Sequence, residues 1–268
     1  MQKVQIENLI AILQQAGSEI IVPAFTKEIH YFSKNDGSPV TVTDLRCQAF
    51  ITQQLLKLYP SIAVLGEEMP EYEQRALLQA NNSRLWCLDP LDGTTNFASN
   101  LPCFAISLAL IENGLPIIAC IHDPIRNETF TAIRGQGARL NGLPITAAKQ
   151  VKLADTVAMI DFKRLPTDIA IDFASQPFYR SQRNLGTCAL EWAWLAAGRA
   201  HLIIHGREKI WDFAAGSLIA EEAGCSVANF TNSPLFPTQS LSRSVLATCC
   251  RNIHSEIRQQ LAAVTGKK

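Results

Sequence analysis

Asp89 and Asp92 stand three residues apart in LDPLDGTTNF (88–97), and Gly93, Thr94 and Thr95 follow at once. Pro, Asp and Gly build turns, so a surface bend is one reading. A metal site is the other. Carboxylates on both sides of a bend can face one point, with the Leu91 carbonyl between them. Gly93 and Thr94 would then present backbone N–H groups where a helix begins, which is an anion site. The threonine hydroxyl could orient a water. Two further acidic places lie where elements should end or start: Glu67 and Glu68 in GEE (66–68), and Asp212 in IWDFAAG. Singly they read as a charged turn and a helix cap. Together they offer hard oxygen donors from separate elements, which suits Mg²⁺. Two such ions about 4 Å apart can clamp a phosphate, one activating water and the other steadying the leaving oxygen.

These side chains need elements to position them. Ile6, Leu9, Ile10, Leu13, Ala16 and Ile20 recur at helical spacing and predict an amphipathic helix over 4–24. SKNDGSPVT (33–41) reads as an exposed loop. Thr43 or Asp44 is the expected cap of a second helix running to about Tyr59. SIAVLGEE is a short strand ending in charge, EYEQRALLQANN a surface helix, and RLWCLDP a second strand ending in charge. FAISLALIENG, LPIIACIHDP, NETFTAIRG and GARLNGLPI follow as strands, with ENG and LNG as hairpin signals. The second half alternates. Strands are expected near 156–161, 183–186, 201–205, 225–230 and 244–249, and helices near 188–199, 212–223 and 251–264. With no repeat or long linker, residues 1–268 read as one α/β domain.

Composition narrows the classes. Lys and Arg number 24 and Asp and Glu 24, so no basic footprint for nucleic acid or a membrane surface is present. Hydrophobic residues are 47% against 18% charged, enough for a large core and a buried subunit interface. The eight cysteines include no C-x-x-C pair and most sit in apolar company, which predicts reduced core thiols in a cytoplasmic protein. The N-terminus lacks a signal-peptide pattern, and no run approaches the ~20 apolar residues of a membrane span.

DPLDGTTNF, followed over a hundred residues later by WDFAAG, resembles the inositol monophosphatase family of lithium-sensitive, Mg²⁺-dependent phosphatases. SPVTVTD (38–44), YPSIAVLGEE (59–68), WCLDPLDGTTNFASNLPCFAISLAL (86–110) and GTCALEWAWLAAGRA (186–200) fall in the expected order, so the likeness covers nearly the whole chain. The resemblance implies a layered α/β/α/β/α sandwich of the inositol monophosphatase and fructose-1,6-bisphosphatase type, assembled as a homodimer. It implies that Glu67, Asp89 and the Leu91 carbonyl hold a first magnesium, and Asp89, Asp92 and Asp212 a second, with Glu67 sharing a weaker third. Glu67 and Thr94 would position the attacking water, with Asp44 behind Thr94. The Gly93 and Thr94 amides would hold the phosphate, with Asp92 and Asp212 beside it. Gly186, Thr187 and Cys188 would touch the rest of the substrate. The implied activity is attack of metal-activated water on a small sugar or polyol phosphate. The alternatives are a 3′(2′),5′-bisphosphate nucleotidase, a histidinol-phosphate phosphatase, or a non-catalytic binding module. The last predicts loss of a metal carboxylate, and all four are present.

The sequence departs from inositol-specific members at one place. Counting back from Asp212, the position of their substrate-binding glutamate is His205, which can donate or carry charge. Lys163, Arg164 and Arg207 lie close to it in pattern, so a basic substrate pocket for a second anionic group is one reading and solvated surface charges the other. Lys34, in the loop of metal-flap composition, is a candidate to stand near the phosphate. His30, His122, His201 and His254 show no ligand spacing and read as structural.

Overall fold

The computed structural model describes residues 4–26, 31–34, 37, 39–80, 83–149 and 151–265; His30, Asn35, Asp36, Ser38, Asn81 and Asn82 lie outside them. The first helix begins as α1 (Ile6–Ala16), widens to a π turn at Gly17–Ile21 and ends as α2 (Val22–Phe25). Pro23 has no N–H for the Glu19 carbonyl, so the regular ladder cannot run through it. Instead the Val22 N–H reaches Gly17 O, one residue further back. The stretch expected as a loop at 33–41 carries hairpin strands at its ends. These are β1 (Tyr31–Ser33) and β2 (Pro39–Thr41), antiparallel.

Helix α3 (Val42–Leu58) is capped by Thr41, not by Thr43 or Asp44. The Thr41 hydroxyl accepts the N–H groups of Thr43 and Asp44 at 3.1 and 3.4 Å, and Asp44 Oδ2 accepts the Thr41 N–H at 2.8 Å. Asp44 is the third helical residue, so the two side chains satisfy each other's backbone in a capping box. Strand β3 (Ala63–Gly66), helix α4 (Glu71–Gln79), strand β4 (Arg84–Asp92) and the short α5 (Thr94–Ala98) follow. Then come β5 (Ala105–Glu112), β6 (Leu115–Asp123), β7 (Glu128–Ile133), β8 (Ala138–Leu140) and β9 (Leu143–Ile145). Strands β3 to β9 form one seven-stranded sheet in sequence order. It is antiparallel except for the parallel pair β3–β4, which the α4 crossover permits.

The second half gives β10 (Val157–Asp161), α6 (Thr167–Ser175), β11 (Ser181–Arg183), α7 (Cys188–Ala196), β12 (Leu202–Lys209), α8 (Ile210–Glu222), β13 (Ser226–Ala228), β14 (Ser242–Thr248) and α9 (Arg251–Thr265). Their five strands order as β11-β10-β12-β14-β13, the first three parallel. Helix α6 answers to no sequence expectation. The strand expected near 183–186 stops at Arg183. Beyond it the Leu185 N–H bonds Glu191 Oε1 and its carbonyl takes Asn96 Nδ2, so this backbone is committed away from the sheet.

The layers explain the apolar runs. Along β4, Trp86 and Leu88 join Leu9, Leu13, Ile51 and Leu55 of α1 and α3 in one core. Leu85 and Cys87, pointing the other way, join α7, α8 and the second sheet in a second core. Covered on both faces, β4 reads as continuously hydrophobic. Helices α7 and α8 lie between the two sheets and are accordingly apolar almost all round. Fully burying a leucine such as Leu9 contributes about 1.5–3 kcal/mol. Helices α7 and α8 approach closely: a Cβ on Gly216 would sit 2.4 Å from Trp192 Cβ. Helices α6 and α9 pack together, with α9 against β14. The order is helix, sheet, helix, sheet, helix, as the resemblance implied.

Candidate active site

The parallel pairing of β3 and β4 sets Gly66 beside Leu88, and the Glu67 N–H bonds Leu88 O at 3.1 Å. Glu67 and Asp89 therefore leave the sheet at one end. Asp89 continues the face of Leu85 and Cys87, toward α7 and α8. Pairing of β4 with β5 slips between Asp89 and Asp92, which places the bend there. The Leu91 N–H donates to Asp89 Oδ1 at 3.0 Å. Asp92 Oδ2 accepts both the Thr187 hydroxyl and the Ala189 N–H at 2.6 Å. Asp212, third residue of α8, accepts the Lys209 N–H at 3.0 Å, fixing the helix start.

One carboxylate oxygen each of Asp89, Asp92 and Asp212 lies within 4.8 Å of the others. Burial pushes the Asp89 carboxyl well above its ordinary range, and the charges of Glu67, Asp92 and Asp212 add to it. Burial does the same to Asp212, followed by Asp92 and Glu67. Asp92 is raised to about 6 by burial, against the Thr187 and Ala189 hydrogen bonds. Two buried acids and a partly buried third, held together against their own repulsion, form a hard-oxygen set that fits a divalent cation.

Glu67 contributes its charge to this group while its carboxylate is turned to Lys34: Oε1 lies 2.7 Å from Lys34 Nζ, which also holds Glu68 Oε1 at 2.8 Å. Burial opposes the Lys34 charge, but the two glutamates outweigh it and hold the ammonium well above its usual value. Burial, then the neighbouring Glu67, raises Glu68 to about 7.

Thr94 Oγ1 donates to Asp44 Oδ1 at 2.8 Å, with Leu91 O at 3.2 Å. Burial raises the Asp44 carboxyl, with the Thr41 and Thr94 hydrogen bonds opposing. Gly93 opens α5 at φ 95°, and a Cβ there would meet Cys103 O at 3.0 Å and Thr187 Cβ at 3.2 Å. Only glycine fits that turn, whose first amides have no intrahelical acceptor. Asn96 was not singled out by sequence, though it lies inside the quoted motif. Its Nδ2 bridges Cys103 O at 2.8 Å and Leu185 O at 2.6 Å, tying the Asp92 turn to the Gly186–Cys188 segment.

On the second sheet His205 is buried in β12 beside Asp161 of β10. Its Nε2 lies 3.4 Å from Asp161 Oδ2, and its Nδ1 accepts the Arg207 N–H at 3.1 Å. Burial lowers the imidazole's affinity for a proton despite Asp161. Arg164 Nε stands 3.6 Å from the same Asp161 oxygen. Lys163, Arg164 and Arg207 are exposed. A carboxylate thus balances charge here, where the sequence left a basic pocket and solvated surface charges both open. Sequence reasoning also missed Glu208. It is fully buried and accepts Trp192 Nε1–H at 2.8 Å. Burial first, then Glu208, Asp212 and Asp92, raises the Cys188 thiol well above its ordinary value. None of the eight cysteines forms a disulfide. His122 bonds Thr129 and His201 accepts the Val157 N–H. Among the described residues no helix is long and apolar enough to cross a membrane.

A family model described as the Inositol monophosphatase family matches residues 3–265. "Nus factor SuhB" of Xylella fastidiosa is 34% identical over 86% of this chain and 83% of its own length. "Inositol monophosphatase 1" of Solanum lycopersicum is 32% identical over 77% of each. The solved structure of an IMPase from Thermotoga maritima superposes with a TM-score of 0.84 at 29% identity, covering 98% of both chains.

Proposed function

Because this chain belongs to the inositol monophosphatase family, we propose that it hydrolyses small phosphomonoesters of the polyol or sugar phosphate class, with Mg²⁺ as its cofactor. The convergence of Asp89, Asp92 and Asp212 carries the reading. These three, with Glu67 and the Leu91 carbonyl, would hold two or three cations. Bound there, the ions supply charge neutralisation on the phosphate and a more acidic water.

The chain's own residues do the positioning. Thr94, whose hydroxyl proton is committed to Asp44, turns an oxygen lone pair outward to accept from the attacking water. Glu67 stands on the same side to accept the second proton. The Gly93 and Thr94 amides bind a phosphate oxygen without needing a side chain. Asp92 is oriented by Thr187 and Ala189, so the carboxylate oxygen not bonded to them faces the cluster. Gly186, Thr187, Cys188 and His205 line the side where the rest of the ester lies. Pairing of His205 with Asp161 favours a substrate rich in hydroxyl groups over a second phosphate. Catalysis on this reading is placement and electrostatics, with no covalent intermediate.

Phosphate release from myo-inositol monophosphate, adenosine bisphosphate, fructose bisphosphate and histidinol phosphate, each with Mg²⁺, tests both parts. Asp89→Asn and Asp212→Asn should abolish turnover, and wild-type rates in either would overturn the site. A preference for adenosine bisphosphate or histidinol phosphate would overturn the substrate class. A homodimer in the cytoplasm remains part of the reading, with light scattering as the check on assembly. The name Nus factor carried by a relative favours a second, non-hydrolytic role. That role would survive in Asp89→Asn.

A further inference from the structure

Strand β12 and helix α7 build a second group of ligand atoms. The Cys188 thiol, a His205 ring nitrogen and a Glu208 carboxylate oxygen lie within 4.8 Å of one another. Regular alternation would send His205 and Glu208 to opposite faces. They share a face because β12 carries a bulge: Gly206 and Arg207 together stand where β14 spends one residue, between the pairs His205↔Val245 and Glu208↔Arg243. Cys188 and Trp192 sit four apart on α7, one turn of the same face, and both meet Glu208.

Glu208 is the informative member. It is fully buried, and Trp192 satisfies only Oε2; Oε1 is buried with no partner. A buried carboxylate oxygen left unmatched keeps its full desolvation cost. A cation beside it removes that cost. His205 is prepared for the same task. The Arg207 N–H marks Nδ1 as the nitrogen with the lone pair, so Nε2 carries the proton and donates to Asp161. A histidine whose second nitrogen is held by a carboxylate is the usual second shell of a metal-ligating imidazole. The Arg207 N–H contact is the one a bound ion would displace.

We propose that Cys188, His205 and Glu208 form a second cation site, selective for a borderline divalent ion of the zinc class, separate from the carboxylate cluster. Thiolate, imidazole and carboxylate are each ligand types that zinc takes, and three protein ligands leave a fourth position open, whereas Mg²⁺ does not take sulfur. Ligand atoms around tetrahedral zinc stand about 3.3–3.8 Å apart for bonds of ~2.0–2.3 Å, so a group already within 4.8 Å needs only a small closure on binding. Cys188 is partly exposed, and its neighbours Thr187 and Ala189 bond Asp92. That exposure gives an ion a way in. The inference does not depend on the hydrolytic reading.

Cobalt(II) is the probe, because a thiolate–cobalt bond absorbs in the near ultraviolet and carboxylate ligands give no such band. Reduced, metal-stripped full-length protein is titrated with Co²⁺ in excess Mg²⁺, then with Zn²⁺ as competitor. One equivalent should produce the band, and Zn²⁺ should erase it. Cys188→Ser should lose it, and Asp89→Asn should retain it. Asp161→Asn should weaken binding ~10–100-fold, and Glu208→Gln by at least as much. Near-ultraviolet circular dichroism of the tryptophans confirms that each variant is folded. No band in the wild type, a band that survives Cys188→Ser, or unchanged affinity in folded Glu208→Gln would overturn the site.

Discussion

Asp92→Asn separates the stability of the site from its chemistry. Both hydrogen bonds to Asp92 end on one oxygen, Oδ2. An asparagine can keep both with its carbonyl and point its NH₂ at Asp89 and Asp212, turning repulsion into donation. The buried Asp92 carboxyl is raised from 3.8 to about 6, chiefly by burial. At ~1.4 kcal/mol per pH unit, keeping it ionised costs the folded chain on the order of 3 kcal/mol. The sign follows from linkage. With the folded value above the unfolded one, the contribution of the protonated form is complete below 3.8 and is lost as pH rises through about 6. Metal-free Asp92→Asn should therefore match wild type at low pH and exceed it by on the order of 3 kcal/mol near neutrality, about 6–12 °C in Tm. Mg²⁺ should reverse the ranking, since only the wild type gains by ligand linkage. Denaturation in chelator from about pH 4 to about pH 8, repeated with Mg²⁺, reads all of this. A variant less stable than wild type near neutrality, or a difference flat with pH, would refute the electrostatic account.

Thr94→Ala removes the hydroxyl but no carboxylate; kcat should fall by ~10²-fold or more while calorimetric Mg²⁺ affinity changes little. Lys34→Gln frees Glu67 and Glu68 from their ammonium, so Mg²⁺ should bind about 2–5-fold tighter, the equivalent of ~0.5–1 kcal/mol from a partly buried ion pair. Gly216→Ala drives a methyl into Trp192 and should cost ~1–3 kcal/mol by denaturant titration, with an altered tryptophan emission.

The metal end of the site was legible because its signals are local. Asp89 and Asp92 straddle a bend that Pro90 and Gly93 announce, and a strand must end there. The α3 cap was misplaced by two or three residues because Thr41, Thr43 and Asp44 are all capping types, and only tertiary position decides among them. Helix α6 was invisible because its buried apolar residues, Ile169 and Phe173, give one short stripe, and Ile171 between them, exposed, breaks it. Glu208 and Asp161 were missed for another reason. Read by alternation, Glu208 faces away from His205, and Gly206 is the one local hint of a bulge in HGRE. Asp161 acquires its role through the parallel register of β10 and β12, a pairing across more than forty residues. The neutralised charge around His205 followed from that same unseen neighbour.

The extra residue in β12 also bears on how relatives are compared. His205 lies seven positions before Asp212, but one of those positions is consumed by the irregularity. A relative whose strand runs straight would present, opposite the residue equivalent to Val245, the side chain six positions before its helix aspartate. Matching such proteins by tally alone would assign specificity to a residue that points out of the pocket, so homologous positions here must be matched by cross-strand partner.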